Sequence, residues 1–187
     1  TTSLTAGAAN DITLDNLNSF TGAISIVSGN NATLVNTAAT IFGTSTVSGN
    51  LLLTSSGNVS QTGVLAVAGT TNVNINTNTL RDILLDTQAN NLAGAITFAN
   101  GTGTIRDIGI RSVNAGSTLA GIPATGVRNL TVVFDAAPVN LPATNITGNL
   151  AVTAGGAITD AANVIVAGTT SLTAGAANSI TLDGAGN

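Results

Sequence analysis

The string TTSLTAGAANDITLDN at residues 1–16 returns at 169–184 as TTSLTAGAANSITLDG, with only Asp11 changed to Ser179 and Asn16 to Gly184. Self-similarity constrains a fold more than composition does, because a repeated string occupies a repeated structural state. The offset of 168 residues predicts one long period of an array, followed by a restart of that period at 169–187. Shorter repeats lie inside it. Gly49–Thr71 aligns without a gap on Gly148–Thr170, so Leu51, Leu53, Val59, Leu65 and Val67 fall on Leu150, Val152, Ile158, Val164 and Val166. DITLD at 11–15 recurs as DILLD at 82–86, DIGIR at 107–111 and SITLD at 179–183. Phe20–Ile24 recurs as Leu92–Ile96, with Leu119–Ile122 one unit later. These spacings resolve into units of roughly 20–27 residues, about eight in the period.

Within a unit the pattern is alternation. Leu4, Ala6, Ile12 and Leu14 point one way and their polar neighbours the other. Ala23-Ile24-Ser25-Ile26, Leu65-Ala66-Val67, Val73-Asn74-Ile75 and Leu150-Ala151-Val152 read the same way. Short period-two runs rich in Val, Ile and Thr are strand signals, and no stretch carries the helical apolar period. Gly29-Asn30, Gly49-Asn50, Gly57-Asn58, Ala68-Gly69 and Gly148-Asn149 are expected to be corners where φ can turn positive. A unit of this size with several short strands suits one coil of an all-β, single-stranded parallel β-solenoid. Coils rising about 4.8 Å each would bury aliphatic ladders in a narrow bore and pair their backbones with the coils above and below. Asn at corners is expected to form amide ladders. Phe20, Phe42, Phe98 and Phe134 are expected as plugs at wider coils or corners. The organisation expected is one continuous solenoid over 1–187. Regular coils cover 1–77 and 144–187, and longer Arg- and Pro-containing coils cover 78–143.

Composition removes whole classes of function. The chain has no His, Cys, Met, Trp, Tyr, Lys or Glu; its four cations are all Arg and its eight anions all Asp, for a net charge of −4. That excess disfavours a nucleic-acid partner, since no basic surface exists to neutralise phosphates. It disfavours an anionic membrane surface equally. Thr, Asn, Ser and Gly interrupt every apolar run, so no membrane-inserting segment is expected. No disulfide framework or thiol chemistry is available. The first residues lack a basic segment followed by an apolar run, so no signal peptide is read there and the chain is expected to be an internal fragment. With 43% hydrophobic residues, disorder is not expected either.

Only Asp could serve as an acid or base here. Asp11 with Asp15, or Asp82 with Asp86, lie at i, i+4, about 13 Å apart on a strand and too far for a carboxylate pair. Asp82 and Asp107 on adjacent coils would be nearer, and Arg106 beside them makes the strongest catalytic candidate. In register, Asp86 is expected beside Arg111, and Arg81, Arg106 and Arg128 on one ladder. The bland alternative, charges pairing between neighbouring coils of a wider segment, is favoured over a recognition patch. The calcium nonapeptide of β-rolls is absent; Gly155-Gly156-Ala157 departs from it at once. Asn31, Asn58, Asn100, Asn129 and Asn145 begin glycosylation-type triplets, as chance provides in an Asn- and Thr-rich chain. The pairs Thr44/Thr46, Thr77/Thr79 and Thr102/Thr104 are too scattered for the flat Thr face of an ice-binding solenoid. No catalytic residue, cofactor-binding residue or metal ligand is therefore assigned.

The strings TTSLTAGAANDITLDN, FTGAISIVSGNN, TSTVSGNLLLTSSGNVSQTG and VLAVAGTT resemble the repetitive region of filamentous-haemagglutinin-like proteins of Gram-negative bacteria. The resemblance covers 1–76 and 144–187 and is poor in the middle. It implies a right-handed parallel β-helix, export by two-partner secretion or as an autotransporter-type protein, and an extracellular or cell-surface place. It further implies a role in adhesion, aggregation, biofilm or sheath fibres, with no catalytic residues to carry over. The expected function is the structural shaft of a surface filament or giant adhesin. Expected partners are further copies or repeats of itself, end to end and laterally, and surface glycans. A carbohydrate-active or carbohydrate-binding β-helix using the central Asp/Arg patch stands as the first alternative, and an ice-binding solenoid as the second.

Overall fold

The computed structural model describes residues 1–101 and 104–184, and these contain strands and corners but no helix. Every ladder between named strands is parallel. One path of nine strands runs through the eleven-stranded sheet, from Thr2–Thr5 to Thr170–Ala174, and defines about nine stacked turns. Sheets of six, three and two strands close the other sides. The chain is thus a β-solenoid. At about 4.8 Å per rung, nine rungs stand roughly 38 Å tall.

Coil length varies in the direction the sequence indicated, over a slightly shorter range. Ile24 pairs with Phe42, 18 residues on, Leu130 with Leu150, 20 on, and Ile83 with Ile108, 25 on. The longer coils fall in the centre. There the strand Leu80–Leu92 is 13 residues long and pairs with both Val59–Gln61 and Leu65–Val67, so it spans two sides that the preceding coil divides at a corner. Pro123, Pro138 and Pro142 all lie between strands, where no ladder bond is lost.

The bore is filled by the residues that alternation selects. Leu34, Leu53, Val73 and Phe98 stack on four consecutive rungs, each at most 2% exposed. Val59, Ile83, Ile108, Leu130 and Leu150 form a second ladder on five. Each buried side chain of this size contributes about 1.5–3 kcal/mol. Leu4, Leu14, Leu172 and Leu182 turn inward against the same core and are only partly buried, because they lie on the outermost described rungs. Phe42, Phe98 and Phe134 are buried as the plugs anticipated, and Phe20 is partly so.

Two details correct the sequence reading. None of the corner glycines at 29, 49, 57, 69 and 148 has a positive φ; among the described glycines only Gly7 and Gly126 do. Closeness of stacking is what excludes a side chain there. A Cβ on Gly57 would meet Ala39 N at 2.5 Å, and one on Gly69 would meet Gly49 O at 2.7 Å. Secondly, the repeat does not return to the same side of the tube. Leu51–Ser55 belongs to the six-stranded sheet, whereas its sequence counterpart Leu150–Ala154 belongs to the eleven-stranded one. Leu150 continues the ladder of Val59 rather than that of Leu51. Four coils carry Val59 to Leu150 in 91 residues, so the 99-residue repeat overshoots them by about one side.

Candidate functional site: the arginine–aspartate seam

The strands Leu80–Leu92 and Thr104–Ser112, with Asn129–Phe134 after them, bring the charged residues to one outer edge. Alternation does this: Ile83, Ile108 and Leu130 point into the bore, so the residues just before them face out. Asp82 N–H donates to Asn58 Oδ1 at 3.1 Å, which fixes Asp82 one rung after Asn58. Arg106 then lays its guanidinium along Asp82, with Nε donating to Oδ1 at 2.8 Å and Nη2 to Oδ2 at 2.5 Å. Its Nε also lies 3.9 Å from Asp107. Arg128, one rung further on, repeats the fork on Asp107, with Nε donating to Oδ1 at 2.9 Å and Nη2 to Oδ2. Asn129 adds backbone and side-chain N–H bonds to the same Oδ1 at 3.2 and 3.0 Å.

These contacts set the electrostatics. Burial pushes Asp107 up, but the Arg128 hydrogen bond and charge, with Asn129, outweigh it and hold the carboxyl below its ordinary value. The hydrogen bond to Asp82, reinforced by its charge, raises Arg106. Arg128 is raised first by its bond to Asp107. Arg111 does not pair with Asp86, contrary to the register argument. Its Nη2 donates to Asp135 at 2.8 Å, one rung the other way, and this bond and charge raise it. Asp86 instead lies over Gly109, where a Cβ would stand 2.5 Å from its Oδ2. Arg106 and Arg128 do share a ladder, with Arg128 N–H donating to Arg106 O, while Arg81 is displaced by a register shift after its pairing with Ile105. Arg81 caps the carbonyls of Ser56 and Leu80 at 3.0 and 3.1 Å. The seam therefore joins Asp82, Arg106, Asp107 and Arg128 and leaves Asp86 and Arg81 out. Chemically it is a clamp, because both carboxylates spend their oxygens on guanidinium N–H groups.

A second outer feature runs through the corners. Asp11 Oδ1 accepts from Asn31 N–H, Asn31 Oδ1 from Asn50 N–H, and Asn50 Oδ1 from Thr70 N–H, at 2.8–3.0 Å. Asp107, Asn129, Asn149 and Thr169 repeat the series on another side. The expected Asn ladders exist, but the Asn oxygens in these two series bond the backbone N–H of the next rung, and a side-chain amide bond between two Asn joins Asn114 to Asn91. The Asn31 backbone bond leads the causes that lower Asp11. Asn31 and Asn129, two of the glycosylation-type positions, thus have structural work for their amides.

Sequence reasoning missed an inward polar column. Phe42, Gln61, Asn90, Ser112 and Phe134 follow one another on the rungs, with the three polar side chains buried between the rings. Asn90 exchanges two bonds with Gln61, at 2.9 and 3.0 Å, and accepts Leu65 N–H at 2.9 Å. The alternation Val59-Ser60-Gln61 already placed Gln61 inward. The Thr pairs do not stack: Thr46 pairs with Ala66, Thr77 and Thr79 bond each other, and Thr102, with the triplet it completes after Asn100, lies outside the described residues. Residues 185–187 lie outside them too. Among the described residues no three His, Cys, Asp or Glu side chains gather to hold a metal ion.

A family model described as repeats of unknown function (DUF5649) matches residues 1–27, 29–99 and 127–187. No curated protein and no solved structure matches the chain.

Proposed function

The chain belongs to this family of repeats, and on that premise we propose that it is a structural shaft of an extracellular bacterial filament or giant surface adhesin of the filamentous-haemagglutinin-like kind. The observation that carries the reading is the unbroken parallel ladder through nine rungs, with its charges clamped between neighbouring coils. Such a ladder gives length and stiffness, and each rung templates the next. The Asp/Arg seam supports a cohesive role, so the shaft is read as non-catalytic. Its partners are further repeats or copies of itself, with nucleic acid and membrane insertion outside the reading. A further turn, in the same chain or from a second copy, fits over the half-covered Leu14 or Leu182. Immunogold labelling of intact producing cells tests the proposal. Label along surface fibres is expected, and label confined to the cell interior would overturn it.

A further inference from the structure

We propose that the corner cleft beside Arg81 binds a sugar acid, its carboxylate on the guanidinium and its hydroxyls on the cleft floor. The cleft arises from unequal corner lengths. On two successive rungs the corners are only three residues long, 37–39 between Ala32–Asn36 and Thr40–Phe42, and 56–58 between Leu51–Ser55 and Val59–Gln61. The rung before keeps step with them, since Asn18 pairs with Asn36 and Ile24 with Phe42. On the rung after, 76–79 leads into Leu80 and Arg81. The two short corners form a floor and the strand that follows 76–79 brings Arg81 to its side, which leaves a cleft of about 350 Å³ lined by Thr37, Ala38, Ser56, Gly57, Asn58 and Arg81. That volume lies within the small-ligand range.

Arg81 differs from the other three arginines in having no carboxylate partner among the described residues. The reason is one residue. Arg106 and Arg128 reach back to Asp82 and Asp107, and the position that precedes Asp82 in this ladder is Asn58, whose Oδ1 receives Asp82 N–H. A neutral amide stands where the next two rungs carry an anion. Arg81 spends Nε and one Nη1 bond on carbonyls, so its remaining N–H groups, with the Asn58 amide, supply donors for a planar carboxylate. Acceptors are at hand as well. Thr37 Oγ1 and Ser56 Oγ donate to Asn18 O and Asn76 O, which leaves their lone pairs for ligand hydroxyls. A carboxylate bonded to a hydroxylated ring matches both sets. An extended peptide does not, because the floor offers no free strand edge: Thr37, Ser56 and Gly57 N–H are bonded to Asn18 O, Asn36 O and Ser55 Oγ.

The test is an NMR titration of the isotopically labelled chain with glucuronate, glucose, acetate and an aspartate-rich peptide, read at Arg81 Nε and the Asn58 amide. Glucuronate is expected to bind at least tenfold more tightly than each of the others. Arg81→Gln and Asn58→Asp are each expected to weaken it at least tenfold at unchanged circular dichroism, the second by supplying Arg81 with an internal carboxylate. Glucose binding equally, acetate binding equally, the peptide binding more tightly, or indifference to both substitutions would each overturn the proposal. The assay needs only the folded solenoid, so its failure leaves the structural reading standing.

Discussion

Replacing Asn90 by Leu keeps the number and branching of the side-chain heavy atoms and removes the centre of the buried polar column. Asn90 is fully buried and makes five bonds: Oδ1 accepts from Gln61 Nε2 and Leu65 N, and Nδ2 donates to Gln61 Oε1, Leu85 O and Arg111 O. After the substitution Gln61 Nε2 keeps its bond to Gly63 O, but Gln61 Oε1 and Leu65 N–H lose their partners. A buried polar group left unsatisfied costs about 1–3 kcal/mol, so the two together predict a loss of roughly 2–6 kcal/mol. Making Gln61→Leu as well removes one of the orphans. The double variant is therefore expected to be more stable than Asn90→Leu alone, with a coupling of about 1–3 kcal/mol between the sites. Stacked repeats can open in parts, so a local readout is added to the denaturation midpoint. Native-state hydrogen exchange at Leu65 and on the flanking rungs reads the effect where it arises. Protection at Leu65 falls in the single variant and partly returns in the double one. An Asn90→Leu variant within about 0.5 kcal/mol of wild type, or strict additivity, would refute the idea that these groups depend on one another.

Three further outcomes follow from the same geometry. Gly63→Ala places a Cβ 2.2 Å from the backbone nitrogen of Thr44 and is expected to cost about 1–3 kcal/mol or more in thermal or urea unfolding, whereas Gly101→Ala, whose nearest neighbour is the Asn74 side chain at 3.3 Å, is expected to cost less. Leu53→Ala opens a cavity in a ladder between Leu34 and Val73 and is expected to lose about 2–5 kcal/mol by urea unfolding. Asp107 has its folded value lowered, so the stability it adds is present above its unfolded pKa of about 3.9 and disappears as pH falls through the folded value. A Tm-against-pH series should accordingly show wild type above Asp107→Asn at pH 7 and the two converging in acid. A constant difference would remove the ion pair from the account.

The inside–outside pattern was legible because a strand's side chains alternate with a period of two. Leu51, Leu53, Val59, Leu65 and Val67 lie where the alternation puts them, each at most 1% exposed. Which side of the tube each strand joins was not legible. A sequence period gives the return of a motif but not the angle through which the tube has turned meanwhile. The strand Leu80–Leu92 absorbs a corner that earlier coils keep, yet the next strand, Ala95–Asn100, returns to the side of Thr71–Ile75, so the side is set by how coil lengths sum against the repeat. Corner glycines were legible as corners but for a different reason. Positive φ is a property of one residue, whereas the crowding at Gly57 comes from Ala39 on the neighbouring rung. The charged seam was half legible. Asp82, Arg106 and Asp107 came together as their spacing implied, but nothing local says whether an arginine reaches back a rung, as Arg106 does, or forward, as Arg111 does.

The corner ladders carry a rule that a sequence does display, once the direction of bonding is known. Each member must accept from the N–H of the next rung, so its side chain needs an oxygen at the position of Asn Oδ1. Asp heads both series, and an anion suits that place because its oxygens take several donors at once, as Asp11 does with Asn30 Nδ2, Asn31 N and Asn31 Nδ2. Threonine ends both. Thr70 and Thr169 turn their hydroxyls back to Asn50 and Asn149 at 3.0 Å, so each closes on the rung before it. Asp–Asn–Asn–Thr at steps near 20 residues is thus a readable ladder with a fixed polarity from amino to carboxyl end.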